Sequence, residues 1–222
     1  MRLNIAMKLA AAVVVLPALV QGFAVPTVIN TSVTIPETQY DANGYFIVPL
    51  DGPDGVFLVQ TNPNNDTEQI LTAVKLFDDA PSDAKNGVKN VNRKRDDLPI
   101  SSYECGMSRH NHDDFTDATD WFGWMCDNGH EIPPGMPVGR AGILWARTGS
   151  SIAYGCSWGW TQPCSSDEYY QFDAYMDEDD KCGQWRSGWV NMKVWGKSYG
   201  RQLYGEGICG WKHGEIGGDI SK

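Results

Sequence analysis

The sequence predicts an α+β fold, an antiparallel sheet with two helices packed on one face (an α/β-sandwich) and stabilised by disulfides. Three observations predict it. Two segments repeat apolar residues at helical spacing, each is followed by a pair of short strand-like runs, and all six cysteines lie after position 100. An alternation of helices and hairpins favours a two-layer sandwich over a parallel sheet. The cysteines are predicted to staple it.

The first predicted helix covers residues 113–126. Its apolar residues form a single stripe: Phe115, Ala118, Trp121, Phe122 and Met125. Asp113 and Asp114 stand in the first turn, where the helix dipole favours anions, and Asn128-Gly129 supplies a stop signal. The residues after this helix, 141–146 and 151–157, are predicted to form a hairpin around Arg147-Thr148-Gly149-Ser150.

The second predicted helix begins at a capping box, Ser165-Ser166-Asp167-Glu168, in which the Ser165 hydroxyl and the Glu168 carboxylate each satisfy a free backbone N–H. Its buried face is formed by Tyr169, Phe172 and Met176. Lys181-Cys182-Gly183 is predicted to close the helix. Two further strands are expected at 189–195 and 201–208, with Ser198-Tyr199-Gly200 between them.

The N-terminus has the features of an export signal. Two positive charges precede an apolar stretch from Leu9 to Val20, and small residues follow at Gly22 and Ala24. We therefore predict a signal peptide over residues 1–24 and a secreted, extracellular product, in a compartment where disulfides persist.

The composition changes near position 95. Residues 25–95 contain no Trp and no Cys. This part ends with three consecutive cations, Arg93, Lys94 and Arg95. Such a run is typical of a site for a processing protease that cuts after Lys-Arg, although an ordinary solvated charge run looks the same. We predict a partly disordered pro-segment over 25–95 and a mature domain over 96–222. Within the pro-segment, 45–48 and 56–59 are expected to pair as a hairpin.

Two positions fit the acceptor pattern for N-glycosylation, Asn30 in Asn30-Thr31-Ser32 and Asn65 in Asn65-Asp66-Thr67. The pattern is short and therefore weakly specific.

The six cysteines are expected to form three disulfides, because an even number in a small exported domain usually indicates a disulfide framework. Their positions are Cys105, Cys126, Cys156, Cys164, Cys182 and Cys209. Counting leaves the pairing open. The gaps between them are wide and irregular, so a zinc framework is not expected, and we predict no metal and no cofactor.

A catalytic constellation is not recognisable. His110 and His112 could serve a ribonuclease-like hydrolase with an acidic partner, but loop histidines without catalytic duty are the simpler interpretation. Oxidised cysteines would lack a reactive thiolate. The net charge of −10 argues against nucleic-acid binding, and no apolar run beyond the N-terminus is long enough for stable membrane insertion. We therefore expect a protein that is not an enzyme.

A candidate interaction surface is drawn from residues suited to recognition. Asp177, Glu178, Asp179 and Asp180 place four carboxylates at a helix end, where the dipole disfavours them, and could form a docking patch for a cationic partner. Trp158 and Trp160 are predicted to lie in a loop, where an indole could stack on a sugar or anchor a protein interface. Solvated charge and aromatic core filling are the alternative interpretations.

Several motifs, in order along 105–209, resemble the killer protein four family of fungal toxins. Cys105-Gly106-Met107-Ser108-x-x-Asn111 resembles the start of that domain, and 148–154 resembles one of its strands. Cys164-Ser165-Ser166-Asp167-Glu168 is similar to its helix start, and Cys182-Gly183 and Cys209 match later cysteines. The resemblance implies an α/β-sandwich with five antiparallel strands and two main helices, a Cys105–Cys182 disulfide, and growth inhibition of competing fungi through calcium-channel blockade, with relatives that act as plant-directed effectors.

The chain departs from that family in having fewer cysteines and an acidic charge. Ile143 stands where the family has an important lysine, and the nearest cations are Arg140 and Arg147, which we add to the candidate interaction surface. The function expected from the sequence is a secreted toxin-like or effector-like protein that recognises a surface target of a host or competing microbe. A small secreted hydrolase and a glycan-binding module are the alternatives.

Overall fold

The computed structural model describes residues 31–36, 39–77, 98–136 and 139–210. The strands are β1 (Thr31–Thr34), β2 (Phe46–Ile47), β3 (Gly55–Asn62), β4 (Asn65–Leu76), β5 (Ser102–Arg109), β6 (Glu131–Ile132), β7 (Gly142–Thr148), β8 (Ser151–Ser157), β9 (Gln162–Pro163), β10 (Arg186–Met192), β11 (Lys197–Leu203) and β12 (Gly207–Ile208). The helices are α1 (His112–Asp127) and α2 (Ser166–Met176), with a short 3-10 helix at Lys193–Trp195.

Eight strands form one antiparallel sheet in the order β1-β4-β3-β7-β8-β11-β10-β5. Both helices cover one face, where Phe122 and Tyr169 pack in a hydrophobic cluster with Tyr199 of β11. A second cluster lies on the other face around Trp145 and Tyr154. The predicted α+β fold with two helices on an antiparallel sheet is therefore confirmed, with more strands than the resemblance implied.

Helix α1 forms where the sequence predicts it. The Asn111 side chain caps its start by accepting from the backbone N–H groups of Asp113 and Asp114. The predicted apolar stripe is buried against the sheet. The predicted hairpin of β7 and β8 is also confirmed, and Gly149 takes a left-handed conformation (φ 52°) in its turn.

Helix α2 differs from its prediction at both ends. The Ser165 hydroxyl accepts from the Glu168 N–H as expected, but the Glu168 carboxylate accepts from Lys197 and from the Tyr199 hydroxyl instead of closing the capping box. The helix ends at Met176, because the backbone then folds back and the N–H groups of Cys182 and Gly183 donate to the Met176 carbonyl.

The turn after β10 also lies elsewhere than predicted. Tyr199 and Gly200 are buried in the middle of β11, and the chain reverses at the 3-10 helix, which ends at Gly196 with a φ of 62°. The turn-forming composition of Ser198-Tyr199-Gly200 is overridden because this strand is central in the sheet and buries Tyr199 under the helices.

The leading part of the chain belongs to the same sheet as the cysteine-rich part. The predicted hairpin of 45–48 with 56–59 is wrong: β3 pairs with β4 and β7, whereas β2 pairs with β12 near the end of the described chain. Val56 and Val59 are fully buried. The description "partly disordered" does not fit 39–77, because these residues complete both hydrophobic clusters. A boundary at 95/96 does not separate two folded units.

All six cysteines are paired, as predicted, in Cys105–Cys182, Cys126–Cys164 and Cys156–Cys209. The first pair is the one that the resemblance implied. It ties the edge strand β5 to the turn after α2, and the third ties β8 to the segment after β12. The signal peptide over 1–24, Asn30, and the cation run Arg93, Lys94 and Arg95 lie outside the described residues.

A candidate binding cleft on the helix-free face

A row of residues crosses the face of the sheet that the helices leave uncovered. Glu104 is in register with Trp189, Trp189 with Gly200, and Gly200 with Tyr154. Residues in register project to the same face of a sheet. A Cβ on Gly200 would lie 2.1 Å from the Tyr154 ring, so the ring extends across β11 toward β10. Because Gly200 has no side chain, the buried Tyr154 ring can pack directly against the backbone of β11.

A cleft of about 260 Å³ lies at this end of the face. Strands β5, β10 and β11 contribute Glu104, Trp189 and Gln202, and the opposite wall includes Asp41 and Tyr45 from the leading part of the chain. Its remaining lining residues are glycines: Gly106, Gly188 and Gly207. The cleft is thus built jointly by the two parts of the chain that the predicted boundary at 95/96 divides.

The cleft has a negative character. Asp41 and Glu104 are both exposed carboxylates in its lining, and no lysine or arginine of the described chain lines it. Burial, together with Glu104 and Asp41, raises the pKa of Tyr45. Burial also raises the pKa of Tyr154, and Tyr45, Glu206 and Glu104 act in the same direction. The two phenols therefore stay neutral beside the carboxylates at physiological pH.

Hydrogen bonds set the shape of the walls. The Asp41 carboxylate accepts from the backbone N–H groups of Asn43 and Tyr45, which holds the loop that carries the Tyr45 ring. One carboxylate oxygen of Glu206 accepts from the Ser108 hydroxyl. The other oxygen, Oε2, and the amide oxygen of Gln202 are buried with no donor from the described residues. The Gln202 amide oxygen, which belongs to the lining, is therefore an acceptor that no donor of the described residues occupies.

The four-carboxylate run is not a uniform docking patch. Asp177 Oδ1 lies 2.7 Å from Nη1 of the buried Arg201, and Asp180 pairs with Lys181 at 2.8 Å. Glu178 and Asp179 are exposed. The prediction of a joint patch fails for Asp177, because the fold uses its charge to bind a buried guanidinium. Asp180 likewise already has a cationic partner.

The two arginines proposed for the interaction surface also have internal partners. Arg147 is only 7% exposed and donates to the carbonyls of Pro49, Leu50 and Gly149. The placement of Arg147 on an interaction surface is therefore wrong: it holds the leading part of the chain against the β7–β8 hairpin. The Arg140 guanidinium lies over the Tyr40 ring, 4.3 Å from its centroid.

The two tryptophans of the proposed surface separate in the structure. Trp158 packs against the cluster on the helix-free face, as the core-filling interpretation expected, whereas Trp160 is 61% exposed. Asn65, the described glycosylation candidate, begins β4 and its side-chain oxygen accepts from both the N–H and the hydroxyl of Thr67. The acceptor side chain therefore lies at the first residue of β4, directly after the turn that joins it to β3.

The histidines occupy different environments. His110 is buried, with Nδ1 2.9 Å from the Ser151 hydroxyl, and burial, assisted by the Arg201 charge, lowers its pKa to about 4. His112 is exposed and its Nδ1 lies 3.2 Å from an Asp113 oxygen. The described residues contain no group of three or more His, Cys, Asp or Glu side chains arranged to hold a metal ion.

Within the described ranges, no helix combines the length and the apolar character needed to cross a membrane. Disulfides persist in oxidising compartments, so the three pairs are compatible with an extracellular location. Comparison with protein-family models, curated proteins and solved structures finds no match for this chain.

Sequence reasoning missed the cleft because its residues come from four separate segments. Asp41 and Tyr45 fell in the predicted pro-segment, and Glu104 carried no motif of its own. The available signal was the glycines at 106, 188 and 200 within strand-forming runs, since glycine in a strand often marks a close approach or a ligand site.

Proposed function

We propose that the protein is a secreted toxin-like or effector-like protein that recognises a target of a host or a competing microbe through the cleft on its helix-free face. The cleft itself is the observation that carries the proposal. It combines carboxylates, aromatic rings and glycines in one concave site, the usual mixture of a recognition site with a few oriented polar groups.

Rigidity supports a binding role. The floor of the cleft is three adjacent strands of the central sheet, and disulfides tie two of its borders, at Cys105 and at Cys209. A preformed site loses little conformational entropy when it binds, so more of the contact energy appears as affinity. The motif resemblance to the killer protein four family favours the same class of activity.

We propose that the protein acts by recognising its target and does not block a channel through a lysine, as the resemblance to the toxin family would imply. Ile143, at the position of the toxin family's lysine, is 1% exposed and lies within the cluster on the helix-free face. The acidic cleft replaces a cationic surface as the candidate contact region. The target is therefore expected to present positive charge.

The test is exposure of fungal and plant cells to the purified secreted protein. Growth arrest or necrosis is expected, and Glu104→Lys should weaken it because the substitution reverses an exposed charge in the cleft. Glu131→Lys is the matched control, since Glu131 is equally a solvent-exposed glutamate but lies in β6, outside the lining of the cleft. Absence of any response in both cell types would contradict the proposal, and equal loss in both variants would remove the cleft from it.

A glycan-binding module is the second candidate, favoured by the 61% exposed indole of Trp160. Retention on chitin or glucan, lost in Trp160→Ala and kept in Glu104→Lys, would favour this function over the first.

A further inference from the structure

We infer that the cleft on the helix-free face binds the guanidinium group of an arginine side chain, with an ammonium group as the weaker alternative. This inference rests on the proposed function, because it names the cationic group that the target presents to the cleft. It concerns binding alone and is tested without cells.

The charged side chains of the lining are both carboxylates, which only accept hydrogen bonds. Asp41 and Glu104 contribute carboxylates and Gln202 an amide oxygen, and the described lining residues carry no positive charge. A guanidinium supplies five N–H donors and one positive charge, so it matches the site in both charge and hydrogen-bonding type. An anionic ligand would meet two carboxylates, which excludes phosphates and acidic glycans.

The aromatic residues narrow the choice further. Tyr45 and Trp189 line the cleft from different parts of the chain, and Trp189 is the residue in register with Glu104. A planar guanidinium stacks on aromatic faces while its edge hydrogen-bonds to a carboxylate. An ammonium group is more strongly hydrated and cannot form the bidentate contact, so its binding is expected to be weaker.

A buried acceptor in the lining of the cleft is a separate observation. Gln202 Oε1 has no donor among the described residues. A buried acceptor without a donor destabilises the unliganded protein, because it has lost its hydrogen bonds to water. Gln202 lies in the lining, two residues after Gly200 along β11. A ligand N–H that reaches this oxygen would remove this destabilisation.

The size of the cleft matches one side chain. A volume of about 260 Å³ accommodates a guanidinium with part of its aliphatic stem but is below the usual range of about 300–1,000 Å³ for drug-sized ligands. We therefore expect a single arginine of a larger partner to occupy it.

The experiment is a titration of the isotope-labelled secreted protein with N-acetyl-arginine amide, followed by NMR. The reporters are the indole N–H of Trp189 and the backbone N–H groups of Gly106, Gly188 and Gly207. Saturable shifts confined to these signals are expected. N-acetyl-citrulline amide has a similar shape without the charge. Its affinity should be at least about tenfold lower, as expected for loss of a charge-assisted hydrogen bond.

Two variants test the assignment. Glu104→Gln keeps the shape of an exposed side chain and removes its charge, so it should weaken arginine binding about tenfold. Glu131→Gln, at an exposed glutamate of β6 outside the cleft, should leave it unchanged. N-acetyl-lysine amide and spermidine are titrated in the same way, as models of a lysine side chain and of a free polyamine. The arginine amide should have the highest affinity of the three if the cleft binds an arginine of a protein partner. Stronger binding of spermidine would replace the protein partner with a free polyamine.

Equal shifts with arginine and citrulline amides, or arginine binding that Glu104→Gln leaves intact, would overturn the inference. So would the absence of any shift at the four reporters. These outcomes leave the cellular activity unaffected, and a protein that binds arginine but harms no cell would contradict only the proposed function.

Discussion

Arg201 of β11 lies fully buried beneath the end of α2, with its Nη1 2.7 Å from Asp177 Oδ1. The same guanidinium contacts Asp173 on the helix and donates to the carbonyls of Gly183 and Arg186. The Asp177 carboxylate, which the helix dipole disfavours at this end, is thereby neutralised. Arg201 thus fastens the end of α2 to the sheet.

Replacement of Arg201 tests this role. In Arg201→Met, Asp173 and Asp177 lose the cationic partner that they share at a mostly buried position, so the free energy of unfolding should fall by about 3–5 kcal/mol. Urea denaturation followed by tryptophan fluorescence measures the change. Lys181→Met is the control: its partner Asp180 is exposed, and stability should hardly change. Equal effects of the two substitutions would contradict a structural role for the buried ion pair.

The buried His110 should make the protein less stable in acid. Its pKa is lowered from 6.5 to about 4 by burial, with Arg201 acting in the same direction and Asp114 opposing. Below pH 6.5 the unfolded chain takes up a proton that the folded chain refuses, so the stability present above pH 6.5 is lost as the pH falls toward 4, by up to about 3 kcal/mol. The difference in unfolding free energy between the native protein and His110→Gln should therefore shrink or reverse across this range.

Asp173 is a control for His110, because its contribution to stability should change with pH in the opposite direction. Burial raises its pKa from 3.8 to about 6, and Asp177 adds to this while Arg201 opposes it. The folded chain therefore binds a proton before the unfolded one as the pH falls, so its contribution is present below pH 3.8 and is lost as the pH rises through 6. The free energy of unfolding of the native protein, relative to that of Asp173→Asn, should therefore increase as the pH falls. Parallel pH profiles for the two variants would refute both assignments.

The tyrosine beneath the cleft depends on the glycine opposite. In Gly200→Ala the added Cβ would lie 2.1 Å from the Tyr154 ring, so the ring must shift and the protein should lose about 1–3 kcal/mol of stability. Gly159→Ala is the matched control, because nothing lies within 4 Å of its Cβ position. Thermal unfolding of both variants measures the difference. Should they melt together, the close packing of Tyr154 over β11 would be disproved.

Cleavage after Arg95 should leave the leading segment attached. β3 pairs with β7, the Gly149 N–H donates to Asp54, and the Gln69 amide donates to the Ala141 carbonyl. These contacts, with the buried side chains of β3, are expected to hold two chains together without a disulfide, since every cysteine follows position 100. Size-exclusion chromatography should show one species that separates into two in denaturant without reductant.

A Lys94→Ala/Arg95→Ala variant is the control, because it should stay a single chain under both conditions. Recovery of residues 96–222 alone from culture medium would contradict retention of the segment, and a single chain from the native sequence would contradict the cleavage itself.

The elements that formed as predicted are those with local signals. Helix α1 has its cap at Asn111 and its apolar stripe within one continuous segment, and the hairpin of β7 and β8 turns at Gly149. Prediction failed where a distant residue decided the outcome. Glu168 binds Lys197 instead of closing its own capping box, and Tyr199, expected in a turn, is drawn into a central strand by burial under both helices.

The amino-acid sequence alone determined the fold class, both helices, the expectation of three disulfides and one of their pairings by resemblance. Tertiary structure alone decided that the leading part completes the sheet, that Arg147 and Asp177 have internal partners, and that Asp41 and Glu104 line one cleft. The physical reason is range. Caps, stripes and turns arise between neighbours in the chain, whereas strand pairing, buried ion pairs and clefts join residues far apart in sequence, whose proximity depends on the packing of the whole sheet.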